Sequence, residues 1–183
     1  MKLPLAPYAV VTLELIAFIL IVTGVLPRSA ALMLAIALVS YSIVADLQDA
    51  LVVFVISIPL FLALPLTASY DNLNTWRLVT LALFIRWVSE GGVFIAFRKE
   101  CVTFVRAPLA FLRQRRVLTS LLILSSLALL SLFSAQYVVA GVRKIVYFIN
   151  IALVGIIIYD TVRTDRRFSK RLINAIAIPT ILV

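Results

Sequence analysis

The feature that most constrains this chain is a succession of apolar runs, most of them long enough to cross a lipid bilayer. A transmembrane helix needs about 20 apolar residues. Lipid offers no partners for backbone polar groups, so spans are helices or a closed barrel. These runs are continuous and do not alternate polar with apolar residues, which favours helices. With 64% hydrophobic residues among 183 and a mean hydropathy of +1.16, the sequence predicts an integral membrane protein.

We therefore predict an all-α fold: a polytopic transmembrane helix bundle with about six full spans and an incomplete seventh, forming a single domain over residues 1–183. The predicted spans are residues 8–26, 30–44, 50–66, 78–97, 117–133 and 142–159, followed by a last apolar run at 172–183. The last run is too short to cross a bilayer. We expect the chain to be an N-terminal fragment of a larger membrane domain, cut inside its seventh helix.

Residues 98–116 differ from the spans because basic side chains recur among apolar ones. Lys99, Arg106 and Arg113 lie seven residues apart. This pattern predicts a basic amphipathic helix lying in the membrane interface, where it contacts membrane lipids.

Orientation follows from the positions of the basic residues. If the N-terminus is cytoplasmic, twelve of the 17 basic residues fall in cytoplasmic segments, as the positive-inside rule requires. The net charge of +9 is explained in this way, so no nucleic-acid partner is expected. The sequence predicts a multi-pass protein with a cytoplasmic N-terminus.

Three acidic or basic residues lie inside predicted spans and away from the span ends: Glu14 in the first, and Arg86 and Glu90 one helical turn apart in the fourth. An ionised group at the centre of a bilayer costs roughly 2.5–3.5 kcal/mol on insertion scales, so it normally faces protein or water. Arg86 could pair with Glu90, or with Glu14 if the two helices touch. These residues either line a substrate-facing polar cavity or form an ion pair that fixes helix packing.

Cations also lie at the outer ends of the fourth and sixth spans. Arg77, Arg143 and Lys144 are candidate contacts for a lipid-linked diphosphate, because guanidinium groups suit bidentate binding of phosphate. The alternative is that these side chains reach from helix ends to the interface without binding a substrate.

Asp46 and Asp49 form a D-x-x-D pattern at the inner end of the second span. Carboxylates at this spacing share a helix face and can hold Mg²⁺ against a diphosphate. The alternative reading is a polar turn between two spans.

Absent residues narrow the chemistry. The chain has one cysteine, Cys101, and no histidine, which excludes an internal disulfide, a Cys/His zinc site and a histidine general base within these residues. Phosphate-binding glycine loops and the G-x-S-x-G and H-E-x-x-H motifs are also missing. We expect no cofactor and no metal.

Two stretches resemble the N-terminal half of bacterial O-antigen ligases and O-antigen polymerases. One is D-N-L-N-T-W-R, residues 71–77, at the entry to the fourth span. The other is L-S-L-F-S-A-Q-Y-V-V-A-G-V-R-K-I-V-Y-F-I-N-I-A-L, residues 130–153, where a short loop of small residues precedes a basic pair. The resemblance covers most of the chain through this layout.

The resemblance implies part of a metal-independent glycosyltransferase of the bacterial inner membrane. Such proteins move a glycan from an undecaprenyl-diphosphate carrier to another glycan unit or to a lipid A-core acceptor on the periplasmic side. The catalytic Arg and His residues of the family lie in a periplasmic loop of the C-terminal half. No catalytic residue is therefore assigned in this chain, and the chain alone is expected to be inactive.

Two other functions stay open on the sequence. One is a cytoplasm-facing prenyl or lipid-phosphate transferase that uses Asp46 and Asp49 with Mg²⁺. The other is a non-enzymatic transporter or membrane scaffold, with Arg86 and Glu90 lining a pathway.

Overall fold

The computed structural model describes residues 6–62, 74–90, 116–131 and 138–182. Within these ranges the chain forms seven α-helices and no β-strand, which confirms the all-α prediction. The helices are α1 Pro7–Val22, α2 Ala30–Val44, α3 Leu47–Ser57, α4 Thr75–Ser89, α5 Arg116–Leu130, α6 Val138–Thr164 and α7 Arg166–Leu182. A 3₁₀ turn, Ile58–Leu60, follows α3.

Each predicted span contains a helix, and local sequence explains where the bounds differ. The predicted span 30–44 coincides with α2. Helix α3 begins at Leu47, ahead of the predicted residue 50, and ends at Ser57, where the 3₁₀ turn with Pro59 begins. Proline cannot donate a backbone hydrogen bond, so it is poorly placed inside a helix.

Helix α7 begins six residues earlier than predicted. The basic stretch from Arg166 to Arg171, which precedes the apolar run predicted at 172–183, forms the first turns of this helix. The predicted interfacial helix at 98–116 lies outside the described residues except for Arg116, which begins α5.

One helix segment among the described residues is long and apolar enough to cross a membrane by itself: Lys144–Thr164 of α6, 21 residues with a mean hydropathy of 2.1. Four shorter apolar helical segments of 10–17 residues are Pro7–Val22, Ala30–Val44, Leu47–Leu60 and Thr119–Leu130.

The chain divides into two compact units. The first comprises residues 1–86 and 158–183, and the second comprises residues 87–157. In the second unit, Leu121 of α5 approaches Gly155 of α6, with its Cδ1 atom 3.9 Å from the position a Cβ would take at the glycine. A Cβ atom added at position 155 would therefore be in ordinary van der Waals contact with Leu121.

Helix α3 is the centre of the first unit. It packs against α1, α2 and α7, and every residue from Ala50 to Ser57 is buried. A helix that is apolar on all sides is stable only when other helices or lipid surround it. The continuous run L-V-V-F-V-I within α3 is therefore the apolar surface on which α1, α2 and α7 pack.

Side-chain contacts give the directions of these helices. Asp49 near the start of α3 pairs with Arg171 near the start of α7, while Arg86 near the end of α4 reaches the carbonyl of Ile43 near the end of α2. Helices α3 and α7 therefore run in the same direction as each other, and so do α2 and α4. We name the end of this unit where α3 and α7 begin the Asp49 end.

The opposite end of the first unit is formed by the α1–α2 turn, and we name it the Gly24 end. Gly24 has φ = +78°, a left-handed backbone conformation that residues other than glycine rarely adopt. This turn brings Ile21 of α1 against Ala31 and Ala35 of α2, and Leu78 of α4 packs on the same cluster. Helices α2 and α4 therefore both begin at the Gly24 end.

Large apolar side chains also cover the outward faces of the described helices, including Leu13 of α1, Met33 and Ile36 of α2, Ile85 of α4, Leu127 of α5, Ile151 of α6 and Ile173 of α7. Buried polar side chains include Glu14, Ser42, Ser57 and Thr80. Water-soluble proteins rarely expose apolar surface this extensively. The outward faces are therefore suited to an apolar surrounding.

Replacing a buried leucine of α3 should destabilise the protein far more than replacing an outward-facing one. Leu51 is 0% exposed, whereas Leu13 is 61% exposed. We expect Leu51→Ala to lower the free energy of unfolding by about 2–5 kcal/mol because it leaves a cavity. Leu13→Ala, the matched control, should change it by about 0.5 kcal/mol or less. Unfolding followed by circular dichroism in detergent micelles measures both, and equal losses would contradict the central position of α3.

Candidate functional site

The first polar site lies between α1 and α3. Glu14, the one acidic or basic side chain between Pro7 and Val22, is 1% exposed. The hydroxyl group of Ser57 donates a hydrogen bond to its Oε2 atom. The other carboxyl oxygen, Oε1, has no hydrogen-bond partner among the described residues. A carboxyl group is thus held inside the helix packing with one of its two oxygens satisfied.

The partner of Glu14 answers a question that the sequence left open. Glu14 is bonded to Ser57 and forms no ion pair with Arg86 in the part of the chain that the structure describes. A buried carboxyl group costs free energy unless hydrogen bonds compensate for the lost water. The hydrogen bond from Ser57 supplies part of this compensation and can therefore fix the packing of α1 on α3.

Ser57 was not predicted as a partner. A serine in an apolar helix gives little signal, because its hydroxyl can return to its own backbone, as Ser42 does to the carbonyl of Leu38 at 2.8 Å. The sequence does indicate that a partner is required, because a lone carboxyl group in an apolar helix needs a polar group on a neighbouring helix. It does not identify that partner.

Arg86 lies in the last turn of α4, at the Asp49 end. Its Nη1 atom donates to the carbonyl of Ile43 at 3.1 Å. Ile43 is in the last turn of α2, where carbonyl groups lack partners within the helix and carry partial negative charge. A cation from α4 therefore satisfies the C-terminal end of α2. Helix α4 ends at Ser89, so Glu90 follows the helix and is exposed.

The candidate diphosphate contacts are distributed over both units. Arg77 lies in the first turn of α4 at the Gly24 end, half-buried, with its guanidinium carbon 5.8 Å from the centre of the Trp76 ring. Arg143 and Lys144 lie on α6 in the second unit, and Lys144 is exposed. A guanidinium group at this distance from an aromatic ring is attracted to the ring face.

The D-x-x-D carboxylates lie at the start of α3. Asp46 is the residue before the helix, in an extended conformation. Asp49 lies in the first turn and pairs with Arg171, with 2.7 Å between Oδ1 and Nη2. Acidic groups at a helix N-terminus are stabilised by the helix dipole. Within the described ranges no group of three or more His, Cys, Asp or Glu residues could hold a metal ion, so a magnesium ion here would have to compete with Arg171.

A second contact at the Asp49 end joins α3 to the start of α7. Asp165, between α6 and α7, accepts the backbone N–H of Arg167 at 2.9 Å on Oδ1. The side-chain amide of Gln48 donates to Oδ2 at 3.2 Å. The hydrogen bond from the Arg167 backbone, and to a smaller extent the one from Gln48, holds the pKa of Asp165 below its usual value of 3.8. Asp165 is thus an N-terminal cap of α7.

This cap could have been found from the sequence. An aspartate immediately before a run with apolar residues at Phe168, Leu172 and Ala175 is a helix-start signal. The four basic residues between Arg166 and Arg171 obscured it, because charged clusters are typical of loops between spans.

Comparison of the chain with protein-family models, with curated proteins and with solved structures finds no match in any of the three.

Loss of the Asp165 carboxylate should destabilise the protein at neutral pH and matter less in acid. The charged form makes both bonds, so its contribution is complete above about pH 4 and is lost as the pH falls through the lowered pKa of the folded state. We expect Asp165→Ala to have a lower Tm than the parent at pH 7, and the difference to shrink below pH 4. Asp165→Asn, which can still cap a helix, is the control and should lose less. A gap that widens in acid would contradict this role.

Proposed function

We propose that this chain is a multi-span protein of the bacterial cytoplasmic membrane, with the Asp49 end of the first unit in the cytoplasm. The observation that carries this proposal is the combination of apolar outward faces with cations sorted to one end. Six spans, an interfacial helix at 98–116 and a seventh apolar segment at 172–183 belong to the same proposal.

The sorting of cations supports the orientation. The Asp49 end carries Arg86, at the end of α4, and the cluster from Arg163 to Arg171 around the α6–α7 junction. The Gly24 end carries Arg28 and Arg77. Excess Lys and Arg marks the cytoplasmic side of a membrane protein. Helices shorter than a full span are accommodated by local thinning of the bilayer or by flanking residues that reach the interface.

Cysteine labelling tests this orientation. In a chain whose own Cys101 is replaced by alanine, we expect Ser29→Cys, exposed at the Gly24 end, to react with a membrane-impermeant maleimide in intact spheroplasts. Thr164→Cys, equally exposed at the Asp49 end, should react only after the membrane is permeabilised. The reverse pattern would overturn the orientation, and labelling of both sites in intact cells would overturn the membrane-spanning proposal.

We further propose that the chain contributes to transfer of a glycan from an undecaprenyl-diphosphate carrier at the periplasmic side, as part of an O-antigen ligase or polymerase type of glycosyltransferase. The resemblance at residues 71–77 and 130–153 motivates this function. The structural support is Arg77, which lies at the Gly24 end and therefore on the proposed periplasmic side. Here α4 begins, and a helix N-terminus favours a nearby anion.

The geometry of Arg77 suits a diphosphate more than a single charge. The ring of Trp76 lies close to the guanidinium group of Arg77, and a planar guanidinium can bind two phosphate oxygens at once. Arg143 and Lys144, on α6 in the second unit, are further cations that we propose as contacts for a lipid-linked diphosphate. A glycan or lipid A-core acceptor would be supplied on the same side of the membrane.

The magnesium-dependent alternative has less support. A prenyl or lipid-phosphate transferase would need Asp46 and Asp49 to be available for the metal, and Asp49 is paired with Arg171. The transporter or scaffold alternative rests on Glu14, whose buried carboxyl could exchange a proton. Neither alternative function gives a role to Arg77 at the Gly24 end.

Replacing Arg77 should weaken binding of the lipid-linked diphosphate. We expect Arg77→Gln to bind undecaprenyl diphosphate about tenfold more weakly than the parent, because a charge-assisted contact is worth roughly 1.5–3 kcal/mol. Native mass spectrometry of the purified chain in detergent measures this, with undecaprenyl monophosphate as the comparison ligand.

Two controls make the result specific. Arg77→Lys keeps the charge but loses bidentate geometry, so it should fall between the parent and Arg77→Gln. Arg163→Gln removes an exposed cation at the opposite end and should bind as the parent does. Equal affinity for the monophosphate and the diphosphate, or unchanged binding in Arg77→Gln, would overturn the assignment of this residue.

A further inference from the structure

Helix α7 presents two different faces. Phe168, Leu172 and Ala175 are buried, and α7 packs on α3. Arg166, Lys170, Ile173 and Ala177 are exposed, and their spacing of four, three and four residues places them along one stripe of the helix. We call these four residues the outer stripe of α7. It begins with two cations and continues with apolar side chains.

The two cations of the stripe are available to a ligand. Neither Arg166 nor Lys170 makes a side-chain hydrogen bond or ion pair with any residue that the structure describes, whereas Arg171, one position further round the helix, is held by Asp49. The nearest acidic group in sequence, Asp165, is already engaged by Gln48 and the backbone of Arg167. The positive charge of the stripe is therefore not neutralised within the first unit.

We propose that the outer stripe of α7 binds an anionic phospholipid of the cytoplasmic leaflet. Arg166 and Lys170 contact the headgroup phosphate, and one acyl chain lies along Ile173 and Ala177. This inference rests on the proposed membrane orientation, which places the start of α7 at the cytoplasmic surface.

The dimensions of the stripe agree with this ligand. At a rise of 1.5 Å per residue, Lys170 and Ile173 are about 4.5 Å apart along the helix axis, and the whole stripe is about 16 Å long. The change from cation to apolar side chain thus takes place over the distance that separates a phosphate from the upper part of its acyl chain. A free phosphate ion would use the cations but would leave Ile173, which is 65% exposed, without a partner.

Charge distinguishes this ligand from the bulk lipid. Basic residues at the cytoplasmic surface attract anionic lipids, and Arg167 adds a third exposed cation beside the stripe. A zwitterionic lipid could cover Ile173 equally well but would gain less from the cations. Selectivity for an anionic headgroup is therefore the property to measure.

Native mass spectrometry of the purified chain in detergent, with added dioleoylphosphatidylglycerol or dioleoylphosphatidylcholine, tests the inference. We expect the parent to retain phosphatidylglycerol in preference to phosphatidylcholine. Lys170→Gln should weaken retention of phosphatidylglycerol about fivefold, and Arg166→Gln combined with Lys170→Gln should remove the preference. Arg28→Gln, which removes one exposed cation at the Gly24 end, is the matched control and should behave as the parent does.

Each outcome separates the possibilities. Equal retention of the two lipids by the parent, or an unchanged preference in the double variant, would overturn this inference. Displacement of phosphatidylglycerol by an equal concentration of inorganic phosphate would also overturn it, because the apolar half of the stripe would then have no role. The orientation is tested separately by the Ser29 and Thr164 cysteine variants, so correct labelling with no lipid preference would leave the membrane proposal standing and remove this one alone.

Discussion

The burial of α3 is the constraint on which the rest of the first unit depends. From Ala50 to Ser57 no side chain is exposed, so helices must be present on several sides at once. Helices α1, α2 and α7 fulfil this need. This packing turns Glu14 of α1 toward α3, where the hydroxyl group of Ser57 donates a hydrogen bond to its carboxyl group. A buried carboxyl is tolerated because a neighbour donates to it.

Polar contacts at the Asp49 end then fix which helices begin together. Arg171 binds Asp49, and Gln48 binds the residue that caps α7. Apolar packing alone is weakly directional, since one leucine surface resembles another. Hydrogen bonds between short polar segments specify the axial position of α7 against α3 because each acceptor has one matching donor.

The sequence predicted the helices better than their partners. A described helix lies at each of the six apolar runs predicted as spans, and the bounds of α2 matched to the residue, because Pro27-Arg28 and the polar residues near Asp46 delimit it. The start of α7 was missed because amphipathic basic turns resemble loops. Contacts such as Arg86 to Ile43 could not be predicted, because a backbone carbonyl accepts from any donor and leaves no trace in residue identity. The sequence therefore offered candidate residues by their chemical type, and the structure was needed to show what each of them contacts.

The two ends of the first unit present cations in different ways, which bears on what each can bind. At the Gly24 end, Arg77 is half-buried and stacked on an aromatic ring, so its geometry is restricted, as recognition of one particular anion requires. At the Asp49 end, Arg166 and Lys170 are exposed on a helix surface, so their side chains can adopt several geometries around an anionic headgroup. If the chain handles a lipid-linked diphosphate, as we propose, selectivity for that ligand should therefore reside with the restricted Arg77 at the Gly24 end and not with the exposed cations of α7.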